Sequence, residues 1–382
     1  MPFVKISPPT GPLNVSYSIS TPESHNAETI LHGLPTVLFL HPVYMPQQVF
    51  EAQFSDLGLR QFNLIAFDMR SHGETEGVIG DVPYNAAEDV YHFIQALELP
   101  PCHVFALSIG CSVALELASA HPECLLSLML CSPLSAEEPE DIVAGRLEIH
   151  QYWSQASLHP GTALQHMLTR GEKSVAYDKQ LLDEAVLGMK QLAFNNSMNP
   201  LTSAIVNSAI SQSLHHWAGT EERTKEGFQA AVMWPLERKV PSKEDFQKIK
   251  CPIRIIYCLE DVAYTSESAQ YLQGQLGDAG LDVRLHQVHG PHYGCVGGAK
   301  ESVSFHLTFC RSQRADTAYR WMDRINPILR QFVLSLHVNQ PKVMNVSITA
   351  ESDGVRMKTP FDDLLERFDY HPSDQPENEL GL

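Results

Sequence analysis

Four short runs constrain the fold more than anything else in this chain: Thr36–Leu40, Asn63–Phe67, His103–Leu107 and Leu126–Leu130. They are of strand length and apolar almost throughout. A strand apolar on both faces belongs inside a sheet covered on both sides, the habit of parallel strands joined by helical crossovers. Helical signals lie between them. A helix is predicted from about Gln47 to Arg60. Asn85 is placed to cap another, whose apolar positions Val90, Phe93, Ile94 and Leu97 follow the i, i+3, i+4, i+7 spacing. Upstream, Phe3–Ile6 and Leu13–Ile19 flank Pro8, Pro9, Gly11 and Pro12 and predict an opening antiparallel hairpin.

The alternation stops at Ser135. From there to about Lys250 the pattern is helical with no convincing strand, clearest at Leu182, Ala185, Val186 and Met189. It resumes with a strand at Ile253–Cys258, a helix near 266–275, a strand at Asp282–Val288 and a helix at about 299–311. The expectation is an α/β fold, a mostly parallel sheet flanked by helices. Its core takes residues 1–134 and 251–312, and 135–250 form a helical insertion. An additional amphipathic helix falls within 313–340. Residues 341–382 form an extension, partly disordered, with a strand at Val343–Ile348 and disorder over Asp369–Leu382.

Composition narrows the partners. The net charge is −18, from 27 Lys and Arg against 45 Asp and Glu, which argues against nucleic acid or an anionic membrane surface. Residues 351–382 alone hold nine acidic and three basic side chains, so −6 of that charge is local. The eight cysteines are scattered without metal-like spacing and read as buried thiols of a reducing compartment. No secretory signal or membrane-length apolar run is visible, so a cytoplasmic location is expected, with no metal, no cofactor and an open oligomeric state.

Chemistry concentrates at Ala106-Leu107-Ser108-Ile109-Gly110, where a strand turns sharply into a helix. A serine on such a turn projects its hydroxyl above the sheet, beside the free N–H groups of the helix start. A serine hydroxyl is a poor nucleophile without a base, and the base needs an acid to orient it. On this topology both belong after later strands, in the chain order serine, acid, histidine. Asp261 and His292 stand there; Glu260, the more remote Glu137 or Glu138, and His289 are the weaker alternatives. Val43 and Ile109 are the candidate oxyanion donors, since Pro42 has no N–H. His41, Arg70 and His72 read as braces for loops. Tyr44, Trp153 and Trp217 are candidate pocket residues; His150, Tyr152, His215 and His216 stand equally as pocket lining or helix surface.

These residues resemble the α/β-hydrolase superfamily. His41-Pro42 stands where the family has His-Gly. Asp68-Met69-Arg70-Ser71-His72-Gly73 stands where the family often has Asp-x-Arg-Gly-x-Gly, and Ala106–Gly110 is at the nucleophile turn. Asp261 and His292 occupy the acid and base positions. The resemblance covers roughly residues 14–310 and implies the α/β-hydrolase fold, with the 135–250 insertion as a lid. It also implies ester-type hydrolysis through a serine triad. Serine, not aspartate, at the nucleophile position counts against epoxide or haloalkane chemistry. The lid's aromatic and apolar content (Trp153, Met167, Phe194, Met198, Trp217, Phe228, Trp234) points to an apolar small-molecule ester, thioester or lactone. The same triad also supports carbon–carbon bond hydrolysis or acyl transfer. Outside enzymes, a hydrolase-like small-molecule receptor, or an interaction protein working through its C-terminal extension, fits the same residues.

Overall fold

The computed structural model describes residues 1–80, 84–158, 164–168, 174–296, 325–340, 343, 346–353 and 356–371. In chain order its strands are β1 (Phe3–Ile6), β2 (Leu13–Ser20), β3 (Thr36–Leu40), β4 (Asn63–Phe67), β5 (Cys102–Leu107), β6 (Leu125–Cys131), β7 (Leu164–Leu168), β8 (Ser174–Asp178), β9 (Ile253–Cys258) and β10 (Val283–Val288). Eight of them form one sheet in the order β1-β2-β4-β3-β5-β6-β9-β10. The opening hairpin is antiparallel, β2 runs antiparallel to β4, and every pairing from β4 through β10 is parallel. Every residue of β3, β4 and β5 is buried, as apolarity on both faces requires.

Helices cover the sheet. The predicted helix at 47–60 is broken: a 3-10 turn (Gln47–Phe50), one α turn, α1 (Glu51–Phe54), and a second 3-10 turn (Leu59–Gln61). The Asp56 carboxylate accepts the Leu59 N–H at 2.9 Å and turns the chain between the last two pieces. Helix α2 (Ala86–Ala96) starts as expected, with the Asn85 side chain accepting the Glu88 N–H at 3.2 Å. Helix α3 (Ile109–Ala120) lies directly after β5.

Residues 135–250 carry α4 (Glu140–Leu158), α5 (Lys179–Phe194), α6 (Pro200–Trp217), α7 (Glu221–Phe228), α8 (Trp234–Glu237) and α9 (Lys243–Lys248). The strand-free expectation fails here: β7 and β8 form a two-stranded antiparallel ribbon between α4 and α5. Five residues in each strand, paired on one side only, leave little hydrophobic periodicity to read. After β9 comes α10 (Ser266–Asp278), then β10.

The last part of the chain departs from expectation. The helix Ile325–Ser335 lies inside the predicted amphipathic segment, and its apolar stripe, Ile325, Leu329, Phe332 and Val333, is buried. The helix expected at about 299–311, like the start of that segment, lies outside the described residues. Residues 343 and 346–348 form no strand. Instead of trailing away, residues 356–371 dock on the body with Met357, Phe361, Leu365 and Tyr370 buried, so the disorder expected from Asp369 does not begin there; 372–382 lie outside the described residues. Arg60 explains part of the docking. Its guanidinium is buried and donates to the carbonyls of Phe54, Thr21, Ser24 and, at 2.8 Å, Lys358. A buried cation needs its donors filled, and the distal segment fills one of them.

Candidate active site

The turn after β5 sets the site. Ser108 adopts φ 57° and ψ −120°, a left-handed conformation that a side chain tolerates only where its surroundings enforce it. Gly110 is part of that enforcement. A Cβ there would stand 2.6 Å from the Leu40 carbonyl oxygen, so helix α3 meets the end of β3 with backbone against backbone. The same Cβ would stand 3.2 Å from the His41 carbonyl oxygen, so the start of α3 lies against the beginning of the loop after β3. Ala106 is buried within β5 between Leu40 and Leu130, so the small side chain standing at the family's glycine position is absorbed by the strand.

The loops after β9 and β10 bring the other two residues to Ser108. The Ser108 hydroxyl lies 2.9 Å from His292 Nε2, and His292 Nδ1–H donates to Asp261 Oδ2 at 2.6 Å. Asp261 is fixed in turn, because its Oδ1 accepts the N–H groups of Ala263 and Tyr264 at 2.8 and 3.0 Å. His292 and Asp261 are almost wholly buried. The alternatives lie elsewhere. Glu260 and His289 face each other at 3.6 Å on the exposed side of these loops. Glu138 sits in a separate buried cluster, on Arg146 and Arg238. Among the sequence candidates, only Asp261 and His292 meet Ser108 in a continuous hydrogen-bond chain.

The expected braces brace. The Met69 N–H donates to His41 Nε2 at 2.8 Å, so the proton is on Nδ1, which donates to the Pro42 carbonyl at 2.7 Å. Burial, with His72 alongside, holds His41 well below the usual imidazole range. Burial also lowers His72 to about 4. Arg70 grips Asp89 with two bonds of 2.9 Å. Asp68, raised by burial to about 6, accepts the N–H groups of Gln47 and Glu74, both at 2.9 Å.

A cleft opens between α4, α5 and α6. Its lining includes Tyr44, Ile149, Trp153, Met189, Ile210 and Trp217, so all three sequence-predicted pocket residues face one space. Its walls are almost entirely apolar. His150 also lines it, lowered by burial to about 4. Indole hydrogen bonds pin two walls: Trp153 Nε1 donates to the Trp217 carbonyl and Trp217 Nε1 to the Ser71 carbonyl, each at 3.0 Å. His216 ends α6 on the Gly73 carbonyl at 2.9 Å, away from the cleft lining. The C-terminal end of α5 reaches the site itself, where the Tyr293 N–H donates to the Ala193 carbonyl at 2.9 Å.

Four residues around the site escaped the sequence reading in this role: Arg146, Tyr264, Tyr293 and Glu138. Tyr264 packs against the His292 ring at 5.1 Å and Tyr293 at 5.2 Å. Arg146 Nε donates to Glu138 at 2.9 Å, and Tyr264 donates to the same carboxylate oxygen at 2.7 Å. A signal existed. In α4 the inward stripe runs Ile142, Arg146, Ile149, Trp153 and Ala156, so a charge falls on the buried face of an amphipathic helix.

With this arrangement in view the class is defined. A family model described as alpha/beta hydrolase fold matches residues 30–222, half of the chain, and the chain belongs to the α/β hydrolase family. It is similar to the AB hydrolase superfamily protein YisY of Bacillus subtilis (strain 168), 28% identical over 117 residues, 29% of this chain and 43% of that protein. The match therefore spans less than half of that relative's length. Among solved structures it is similar to a thermophilic esterase from Thermogutta terrifontis, with a TM-score of 0.57 and 15% identity, covering 88% of this chain and all of that one. It is also similar to the enol-lactonase from Burkholderia xenovorans LB400, with a TM-score of 0.54 and 13% identity, again covering 88% and 100%. At these identities the likeness is one of fold. Among the described residues no helix is long and apolar enough to cross a membrane.

Proposed function

We propose that this protein is a serine hydrolase that cleaves an ester-type bond of a small molecule with an apolar part. The observation that carries the reading is the unbroken chain from the strained Ser108 through His292 to Asp261. In this reading His292 Nε2 takes the hydroxyl proton as Ser108 Oγ attacks the carbonyl carbon. The Val43 and Ile109 N–H groups receive the charge that develops on oxygen. Asp261 holds the imidazole in the required tautomer and stabilises the imidazolium. His292 then protonates the leaving oxygen, and water, deprotonated by the same histidine, releases the acyl group from Ser108. The 135–250 segment serves as the lid, and its apolar cleft beside Tyr44 takes the hydrophobic part of the substrate. Esterases and a lactonase among the structural neighbours are in keeping with this chemistry.

The test is labelling with a fluorophosphonate probe together with turnover of aryl and alkyl esters. Labelling of the wild type and none of Ser108→Ala is the expected outcome. Equal labelling of both removes Ser108 from the nucleophile role, and a folded wild type that neither labels nor turns over esters favours a small-molecule receptor built on a hydrolase frame.

A further inference from the structure

Tyr293 stands directly after the histidine that meets Ser108, and its side chain lies beside it. The two rings are 5.2 Å apart, and Phe194 meets the Tyr293 ring edge-on at 5.7 Å. The Tyr293 N–H is fixed on the Ala193 carbonyl, at the end of α5, at 2.9 Å. The residue is buried, and its hydroxyl hydrogen-bonds the Ser108 side chain. The reacting oxygen therefore has two side-chain partners, an imidazole nitrogen and a phenol.

The direction of the second bond follows by elimination. A carboxylate only accepts, so His292 carries its proton on Nδ1, toward Asp261, and its Nε2 is a bare acceptor. The one hydrogen of the Ser108 hydroxyl belongs to that Nε2. What Ser108 Oγ has left for Tyr293 is a lone pair, so the phenol donates. Burial keeps Tyr293 protonated far past neutral pH, while the Arg146 charge acts on it in the opposite sense. A phenol held neutral while a cation polarises its O–H, in a water-poor interior, is a lasting and strengthened donor.

We propose that the Tyr293 hydroxyl is a further catalytic group, donating to Ser108 Oγ as that oxygen is expelled from the acyl-enzyme. The proposal rests on the serine hydrolase reading. In deacylation water adds to the acyl carbon and gives its proton to His292. The tetrahedral intermediate then breaks the bond between that carbon and Ser108 Oγ. The electron pair of the bond passes to Oγ, and the proton on His292 Nε2 follows it, restoring the serine hydroxyl. Charge gathers on Oγ before the proton arrives, and a hydrogen bond to a charged acceptor is much stronger than one to a neutral ester oxygen. Tyr293 keeps its own proton throughout. In acylation the same bond is already made in the resting enzyme, so less is gained there. Only interactions that strengthen on the way to the transition state accelerate a step.

The experiment reads the two halves of the reaction separately, in the full-length wild type and in Tyr293→Phe, which keeps the ring. Fluorophosphonate labelling reads attack by Ser108 alone, because the adduct is not released. Turnover of p-nitrophenyl butyrate reads deacylation, because p-nitrophenolate leaves easily in the first half. Labelling of Tyr293→Phe is expected to stay within about threefold of the wild type while kcat falls by about ten- to a hundredfold. The butyryl-enzyme should then accumulate in intact-mass spectra during turnover. An unchanged kcat overturns the proposal. So does a loss of labelling as large as the loss of kcat, which would make Tyr293 a packing residue. Fluorotyrosine in place of Tyr293, a more acidic donor of nearly the same size, decides the matter if Tyr293→Phe does not fold: kcat is expected to rise with labelling unchanged, and an unaltered kcat overturns the proposal. A wild type that neither labels nor turns over the ester removes the serine hydrolase reading and this proposal with it. A wild type that does both leaves that reading standing whatever the variants show.

Discussion

Two buried carboxylates of this molecule, Asp261 and Glu138, are treated in opposite ways. Asp261 is fully answered: one oxygen receives His292 and the other two backbone N–H groups. Every partner comes from the loops after β9 and β10. Glu138 is over-subscribed, with two arginines and a tyrosine converging on it from α4, from the residues after α8 and from the loop after β9. The first arrangement is closed and local, and it defines an orientation. The second ties the 135–250 segment to the loop after β9. A network drawn from neighbouring loops fixes an orientation, whereas one drawn from distant parts of the chain holds those parts together.

Asp261→Asn should break the closed network most visibly. It keeps the shape but removes the acceptor that sets the His292 tautomer, and kcat for ester hydrolysis is expected to fall by about 10³- to 10⁴-fold with little change in melting temperature. A comparable loss of stability would mean that Asp261 is chiefly structural. Gly110→Ala comes next. Its Cβ would press on the Leu40 carbonyl, so the Ser108 turn must shift, and a fall in fluorophosphonate labelling rate of about 10²-fold is expected from misplacing the reacting group. Unchanged labelling would show that the turn tolerates the displacement.

Glu138→Gln tests the second network. It leaves two buried guanidinium groups without a carboxylate, and breaking a buried ion pair from one side costs about 3–5 kcal/mol. Here the loss should appear in chemical denaturation, with kcat reduced far less than by Asp261→Asn. If stability is untouched, Glu138 does not anchor the segment. The smallest effect is a pH slope. His72 is held to about 4 by burial, against about 6.5 in an unfolded chain. Below pH 6.5 the unfolded state gains a proton that the folded state refuses. Stability from this group is therefore full above 6.5 and declines as pH falls toward 4. His72→Gln should flatten part of that decline in melting temperature, and an unaltered slope would place its origin elsewhere.

Much of this was legible because chain order and burial leave marks in sequence. The strands from Thr36 to Leu130 announce themselves by apolarity on both faces. Ser108, Asp261 and His292 follow from where a nucleophile, an acid and a base must stand on such a sheet. The 47–60 helix was over-read because its periodicity survives in three separate turns, and only the Asp56 side chain reveals the break. Arg146 lay in plain view on a buried stripe, but a single charge on a helix face is ordinarily a solvated one. The docking of 356–371 left the weakest trace. It is made by four apolar side chains spread over short turns, Met357, Phe361, Leu365 and Tyr370, by Arg356 and Thr359 meeting the buried Glu51, and by Arg60 reaching the Lys358 carbonyl, none of which leaves a periodic signature in sequence.

That docking has a kinetic consequence. Arg60 Nη1 bonds to the carbonyl of Lys358, nearly 300 residues further along, and Phe361 packs edge-on against Phe54. Contacts of such separation close large loops and form late. During synthesis the N-terminal strands can pair well before the distal segment emerges, but the buried Arg60 stays one acceptor short until it arrives. The half-made molecule must therefore keep a cation wet at the edge of its own core until residues 356–371 reach it.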